Sequence, residues 1–334
     1  MRAFITASFD AAAKARLARH MDVVHEDWKV RNQIYFDGTE FARRINDVGA
    51  DVLIVEADLV HSEVLEGCRI VMIGCCRGEP VNIDLALATE KGIPVFHTPG
   101  RNADAVADLT LTFMLMLTRR FPAIDATYRG GRASKIEQAS DFLELYKRFT
   151  GAELGGLTIG LVGLGAVGRE VAARLVPFKA RLLAYDPYVT APPPGVTMTE
   201  LDDLLDRVDI VSLHAPVTPD TVGLLSAARL ARLKPTAFVV NTARAALTDE
   251  DALYEMLRTG RLAGAALDVL INEPLQPDNR FLGLENVIVT PHVGGATFDV
   301  TRHHSDIVVD AMERHLRGER PRWVANPAVY ERRG

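Results

Sequence analysis

Cysteine is scarce in this chain. Three residues in 334, Cys68, Cys75 and Cys76, form an odd set without metal-ligand spacing. They exclude a disulfide framework and point to reduced thiols in a cytoplasmic protein without a metal centre. Long apolar runs are missing as well. The longest, Leu109 to Leu117, is broken by Thr110 and Thr112 and falls far short of the ~20 residues of a membrane span. The opening Met1-Arg2-Ala3-Phe4-Ile5-Thr6 is too short in its apolar part for a signal segment. There is no excess of positive charge either. Lys and Arg number 38 against 44 Asp and Glu, a net charge of −6, which leaves no electrostatic footprint for nucleic acid. The cluster Arg314, Arg317, Arg320 and Arg322 is interleaved with Glu313 and Glu319 and reads as a solvated helix face. Repeats and low-complexity segments are absent. The length fits two domains of average size.

The first hundred residues alternate two periodicities. Ala3-Phe4-Ile5, Asp51 to Val55, Arg69 to Ile73 and Pro94-Val95-Phe96 read as strands, with helices at Ala11 to Arg19 and Ile83 to Lys91. Such alternation builds a parallel sheet with helical crossovers. Asn102 to Arg120 then predicts a helix apolar on nearly all faces, which must be buried between layers, domains or subunits. A charged, glycine-containing stretch follows from Tyr128 to Gly151. A second α/β unit opens at Leu157, with strands at Leu157 to Val162, Leu182 to Tyr185, Val208 to Leu213, Ala237 to Val240, Gly264 to Leu267 and Val287 to Val289. Thr248 and Asp251 resemble a capping box ahead of a helix that stops at Gly260.

The second unit opens with Gly163-Leu164-Gly165-Ala166-Val167-Gly168. This G-x-G-x-x-G follows a strand and starts a helix, the context in which the motif binds a dinucleotide. Gly163 allows the tight turn, Gly165 lets backbone approach a pyrophosphate, and Gly168 lets helix and strand pack closely. The helix start at Ala166 and Val167 offers N–H groups to phosphate. Asp186 ends the next strand, 21 residues past Gly165. An acid there accepts from the ribose hydroxyls of NAD and repels the 2′-phosphate of NADP. Further along, strands end in His214, Asn241 and Asp268, and another runs into Thr290-Pro291-His292. Ligands of such sheets bind beyond the carboxyl ends of the strands.

These residues suit reduction of a 2-keto acid. Arg244 can hold a carboxylate with paired donors. His292 can exchange a proton. Glu273 would orient the imidazole and stabilise its cation. Singly, Arg244 reads as a surface cation, Glu273-Pro274 as a turn and His292 as a strand-end histidine. Together, Asn241-Thr242-Ala243-Arg244, Asp268 to Pro274 and Thr290 to Gly295, with the glycine loop, resemble the D-isomer-specific 2-hydroxyacid dehydrogenases, the family of D-3-phosphoglycerate dehydrogenase. The resemblance spans nearly the whole chain: Val81-Asn82-Ile83-Asp84 and Thr98 to Asn102 match the substrate loop and hinge, and His214-Ala215-Pro216 matches a turn beside the cofactor. It implies catalytic roles for Arg244, Glu273 and His292. It places Asn102, His214, Pro216 and Thr242 at the cofactor and gives Asp268 to the nicotinamide carboxamide.

Departures bear on the substrate. The usual glycine-rich loop is here Cys75-Cys76-Arg77-Gly78-Glu79-Pro80-Val81. Cys76, Arg77 and Gly78 are candidate substrate contacts, with Arg77 suited to a distal carboxylate, hydroxyl or phosphate. Small buried residues are the expected reading of Cys75 and Cys76. The acid of the helix after the hinge, often Glu in the family, is Asp108. Residues 130–149 look longer than the usual connection and are expected to overhang the active site. Without a regulatory domain after residue 334, serine feedback is not expected.

The resulting expectation is an α/β protein. Residues 102–292 form an NAD-binding Rossmann domain with a doubly wound parallel sheet. Residues 1–101 and 293–334 form a flavodoxin-like substrate domain. The cleft between them closes over a small 2-hydroxy or 2-keto acid, a sugar-acid derivative among the candidates. A homodimer through the Asn102 to Arg120 helix is expected. The alternatives are an NAD(H)-sensing, corepressor-like binding protein on the same scaffold and a formate dehydrogenase, against which Glu273 speaks, since that group carries Gln there.

Overall fold

The computed structural model describes residues 1–129 and 137–331. The chain divides into two compact units, Met1–Arg101 with Thr297–Gly334, and Asn102–Ala296. Residues 293–296 thus pack with the second unit, where the sequence pattern had assigned them to the first. The reason is local: the N–H groups of Val293 and Gly294 donate to the carboxylate of Asp268.

The first unit is a five-stranded parallel sheet, β1 (Arg2–Ile5), β2 (Asp22–His25), β3 (Val52–Val55), β4 (Met72–Cys75) and β5 (Val95–Phe96), in the order β2-β1-β3-β4-β5. This is the flavodoxin-like order. β3 and β4 are buried along their whole length, so they appear in sequence as unbroken apolar runs. The β4 register begins later than expected, because Arg69-Ile70 precede the strand. Edge strand β2 carries too little apolar pattern to be read in advance; it begins with exposed Asp22. The Gly38–Val48 helix also escaped the sequence pattern. Asp37 caps it and Phe41, Ala42, Ile45 and Val48 are its buried stripe. On the other face the Phe298–Leu316 helix closes the core. A Cβ on Gly74 of β4 would lie 2.6 Å from Val308, so glycine lets that helix approach.

The second unit is a seven-stranded parallel sheet: β6 (Thr158–Val162), β7 (Arg181–Tyr185), β8 (Val196–Met198), β9 (Ile210–Leu213), β10 (Phe238–Asn241), β11 (Gly264–Leu267) and β12 (Val287–Val289), ordered β12-β11-β10-β9-β6-β7-β8. This is the doubly wound Rossmann arrangement, reversing between β6 and β9. Separate apolar cores fill its two faces, one around Leu204, Val211 and Leu253, the other around Phe113, Leu161 and Val171. The helix expected at Asn102 to Arg120 spans Ala103–Thr118. It is not enclosed on all sides: Val106, Ala107, Phe113, Met114 and Leu117 are buried, whereas Leu109, Leu111, Leu115 and Met116 are partly exposed. Asp104 and Asp108 on this helix both bind Arg174 at 2.7 Å. The cap expected from Thr248 is made one residue later, by Asp249 accepting from Ala252 N–H. Of the 130–149 stretch, residues 130–136 lie outside the described residues, and Ala139–Phe149 is a helix. Among the described residues no helix is long and apolar enough to cross a membrane.

Candidate active site

The carboxyl ends of six strands of the second sheet supply the residues singled out in the sequence. At the end of β6, three glycines have three different surroundings. Gly163 sits at φ +99°, and a Cβ there would lie 2.8 Å from the backbone of His214 and Ala215. A Cβ on Gly168 would lie 2.1 Å from the Gly163 carbonyl oxygen. Gly165 has nothing within 4 Å. It is the N-cap of the Ala166–Leu175 helix and supplies no side-chain cap, so the first-turn N–H groups at Ala166 and Val167 have no capping side chain. Such a terminus favours an anion. Asp186, past β7, accepts from Leu164 N–H at 2.8 Å and Tyr188 N–H at 2.9 Å. Those bonds orient its carboxylate beside the loop. An open phosphate cradle followed by a fixed carboxylate fits NAD.

His214 lies below this loop. Its Nε2 is 3.0 Å from Ser212 Oγ, while buried Nδ1 has no partner among the described residues. Burial pushes the pKa of this imidazole down to about 4, so it is neutral. The Pro216 carbonyl accepts from Thr221 Oγ1, and buried Thr242 meets Thr110 Oγ1 at 2.9 Å.

β10, β11 and β12 end level, since Asn241 pairs with Leu267 and Leu267 with Val289. Neighbouring strands lie about 4.8 Å apart, so the segments that carry Arg244, Asp268 and His292 leave the sheet from adjacent strand ends. Asn241, 2 % exposed, clamps its turn: its amide donates to the Arg244 carbonyl and accepts from Ala243 N–H, both at 3.0 Å. Exposed Arg244 gives Nη1 to the Ala243 carbonyl and has no carboxylate partner among the described residues. His292 stands at φ +56°. Its Nδ1 is 2.8 Å from Glu273 Oε2, and Glu273 Oε1 accepts from Leu270 N–H. A carboxylate accepts only, so the proton sits on Nδ1 and Nε2 is left to exchange one. A cavity of about 340 Å³ opens here, lined by Leu270, Glu273, Thr290 and His292 among others.

What holds His292 at its unusual backbone angle is Asp268, 1 % exposed. Its carboxylate accepts from Thr290 Oγ1 at 2.6 Å and from the N–H groups of Val293 and Gly294 at 2.8 Å. Its carbonyl accepts from His292 N–H. The resemblance implies a role for this carboxylate at the nicotinamide; in the structure its two oxygens also fold the turn. Thr290 was not singled out as a clamp in the sequence, although it lies two residues before His292. A Cβ on Gly295 would lie 3.1 Å from Asn102 Nδ2 and one on Gly294 2.9 Å from the Asp268 carboxylate, so Gly295 lets the turn approach Asn102 and Gly294 lets it close on Asp268.

In the first unit, Cys76 is corrected as a substrate contact. Its side chain is fully buried and its N–H donates to the Val55 carbonyl, continuing the β4 ladder. Burial pushes the Cys75 thiol up to about 12 and Cys76 well above the usual thiol range, so both are inert packing groups. Arg77 and Gly78 are half-buried, and Arg77 has no ion-pair partner among the described residues.

The comparisons with known proteins agree with this geometry. Residues 111–294 match the model of the D-isomer specific 2-hydroxyacid dehydrogenase, NAD binding domain. The putative 2-hydroxyacid dehydrogenase YoaD of Bacillus subtilis (strain 168) is 35% identical over 94% of this chain and 90% of its own. The glyoxylate reductase of Thermofilum pendens (strain DSM 2475 / Hrk 5) is 37% identical over 92% of this chain and 89% of its own. Among solved structures, the TT0316 protein of Thermus thermophilus superposes with a TM-score of 0.80 at 34% identity, over 97% of this chain and all of its own.

The chain belongs to the D-isomer-specific 2-hydroxyacid dehydrogenases. It is an NAD-dependent oxidoreductase of that class. The corepressor-like alternative finds no support among these relatives, which are named as dehydrogenases and reductases.

Proposed function

We propose that this protein interconverts a small D-2-hydroxy acid and its 2-keto acid, with Arg244, Glu273 and His292 as the catalytic residues. The observation that carries the reading is the His292–Glu273 pair, held at 2.8 Å by the turn that Asp268 folds. Arg244 binds the substrate carboxylate with the donors it does not give to Ala243. In reduction, His292 Nε2 gives its proton to the keto oxygen, and Glu273 balances the cation beforehand and keeps the ring oriented. In oxidation the same nitrogen takes the hydroxyl proton. NADH, when bound, would supply the hydride for the carbonyl carbon. Gly165, Ala166 and Val167 would hold its phosphates, and Asp186 would take the ribose hydroxyls and select NAD over NADP. Asn102, His214, Pro216 and Thr242 line the remaining cofactor surface.

The segment at Arg77 and Gly78 is the substrate-side contact, with Arg77 the group for a distal carboxylate, hydroxyl or phosphate. A sugar-acid derivative suits it. Exposed Phe121, Tyr128, Phe142, Leu143 and Tyr146, next in sequence to the partly exposed Leu109, Leu115 and Met116, favour a homodimer built through this region. Light scattering at micromolar concentration is expected to give twice the chain mass.

A screen of 2-keto acids, with and without a second anionic group, tests the activity by the loss of NADH absorbance. At least one acid is expected to be reduced, with NADPH a poor substitute for NADH. Reduction of none overturns the reading, and equal use of NADPH overturns the role of Asp186.

A further inference from the structure

The loop after β4 is held from behind by groups that the activity does not use. Thr98 N–H donates to the Arg77 carbonyl at 2.8 Å. His97 Nδ1 donates to the Gly78 carbonyl, also at 2.8 Å. A carbonyl can only accept, so Nδ1 carries the proton and the tautomer is settled. Two successive carbonyls of the loop are thereby turned toward the segment following β5. A peptide plane has its N–H opposite its carbonyl. The amide that follows the Gly78 carbonyl, on Glu79, is therefore aimed away from His97.

His97 is itself braced. Its N–H donates to the Trp323 carbonyl at 3.3 Å. Its ring meets Trp323 edge to face, with centroids 6.4 Å apart, and Arg322 lies over Trp323 at 4.5 Å. The C-terminal segment thus supports a side chain that supports the loop. Gly78 needs such support, because glycine has the largest backbone freedom to lose. The loop's other end is anchored independently: Asn82, 4 % exposed, donates to the Asp58 carbonyl and accepts from Cys75 Sγ.

We infer that His97 is a positioning residue for substrate binding: by holding the Gly78 carbonyl it orders the loop that presents Arg77 and the Glu79 amide. This rests on the reading of that loop as the substrate-side contact. His97 touches no reacting atom, so its removal acts on KM and leaves the chemical step intact.

Three variants separate the hydrogen bond from the packing. His97→Phe keeps a ring against Trp323 but has no donor. His97→Ala removes both. His97→Asn places Nδ2 where Nδ1 stood and restores the donor. With a 2-keto acid reduced by the unaltered enzyme, KM is expected to rise roughly three- to tenfold in His97→Phe and His97→Ala, the effect of losing one neutral hydrogen bond. The value of kcat and the affinity for NADH, read by fluorescence titration, are expected to stay within about twofold. In His97→Asn, KM returns toward the starting value. Hydrogen exchange of the 76–81 peptide gives a readout independent of activity, and should quicken in His97→Phe but not in His97→Asn. An unchanged KM in His97→Phe, or an Asn variant no better than Phe, overturns the inference. Quickened exchange with an unchanged KM overturns it too, because the loop would then be braced without serving substrate. Failure of the unaltered protein to reduce any 2-keto acid, with exchange still responding, instead overturns the functional reading on which it rests.

Discussion

Two turns at the same end of one sheet solve opposite problems. The Gly163–Gly168 turn must leave a space, and does so by omitting side chains: nothing lies within 4 Å of the Cβ position at Gly165. The Thr290–Gly294 turn must hold a side chain still, and is filled with internal hydrogen bonds converging on Asp268. The cofactor role proposed for the first turn needs backbone that no side chain covers. Proton transfer demands a ring fixed to within a fraction of an ångström, which only prior internal bonding provides. Glycine builds the first kind of site and a buried carboxylate the second.

The sharpest way to break this contrast is to remove the ring that the second turn exists to hold. His292→Ala should lower turnover by about 10²–10⁴-fold while NADH binding, followed by fluorescence, stays nearly constant. Near-normal turnover would mean that another group moves the proton.

The next test compares two glycines three residues apart. Gly165→Val should leave the melting temperature almost unchanged and weaken NADH binding by roughly tenfold or more, since one tenfold step is only about 1.4 kcal/mol. Gly168→Val should cost about 1–3 kcal/mol of stability through overpacking, because its Cβ would meet the Gly163 carbonyl. Calorimetry and NADH titration on both proteins distinguish the two. If the first variant bound NADH normally, the open side of the loop would not be where phosphate lies.

Asp268→Ala probes the filled turn from beneath. It strands two N–H groups and the Thr290 hydroxyl, and should lower unfolding free energy by about 3 kcal/mol, given about 1–3 kcal/mol for each group left buried and unpaired. Turnover should fall with it as His292 loses its seat. Denaturant melts that match the unaltered protein would refute the clamp.

The smallest expected effect belongs to His214, beside the glycine turn. Its folded pKa of about 4 lies below the 6.5 or so of an unfolded histidine. Below pH 6.5 the unfolded chain therefore takes up a proton that the folded chain refuses. Stability falls as pH drops from about 6.5 toward 4 and is unaffected by this group above that range. At pH 5 the loss is about 2 kcal/mol. Denaturant midpoints at pH 7 and pH 5, with His214→Asn as reference, check it; an equal loss in the variant would assign the effect to other groups.

Much of the site was legible because its tasks impose residue types at short spacing. The three glycines fall within six residues, Gly168 set by the nearby Gly163 carbonyl, Gly163 by the backbone of His214 and Ala215, and Asp186 follows at the end of the neighbouring strand. The roles proposed for Arg244, Glu273 and His292 call for a guanidinium, a carboxylate and an imidazole, which other residue types do not supply. Cys76 was misassigned because periodicity could not show that β4 runs on through Cys75 and that the Cys76 N–H extends its ladder. β2 was missed because an edge strand need not be apolar on both faces. The Ala103–Thr118 helix showed its apolarity in sequence, but not which side the chain itself would cover.

The sequence by itself determined the class of fold and the chemistry. Parallel strands buried on both faces must be apolar runs, and a dinucleotide, a keto oxygen and a carboxylate each demand particular donors at the strand ends. Only the tertiary structure decided which polar groups are spent in building the site. Asp268 with Thr290, Asn241 with the Arg244 turn, and His97 with Gly78 are bonds between or beside segments whose partners a linear pattern does not identify. They exist because a buried polar group must find a partner wherever the fold brings one within reach.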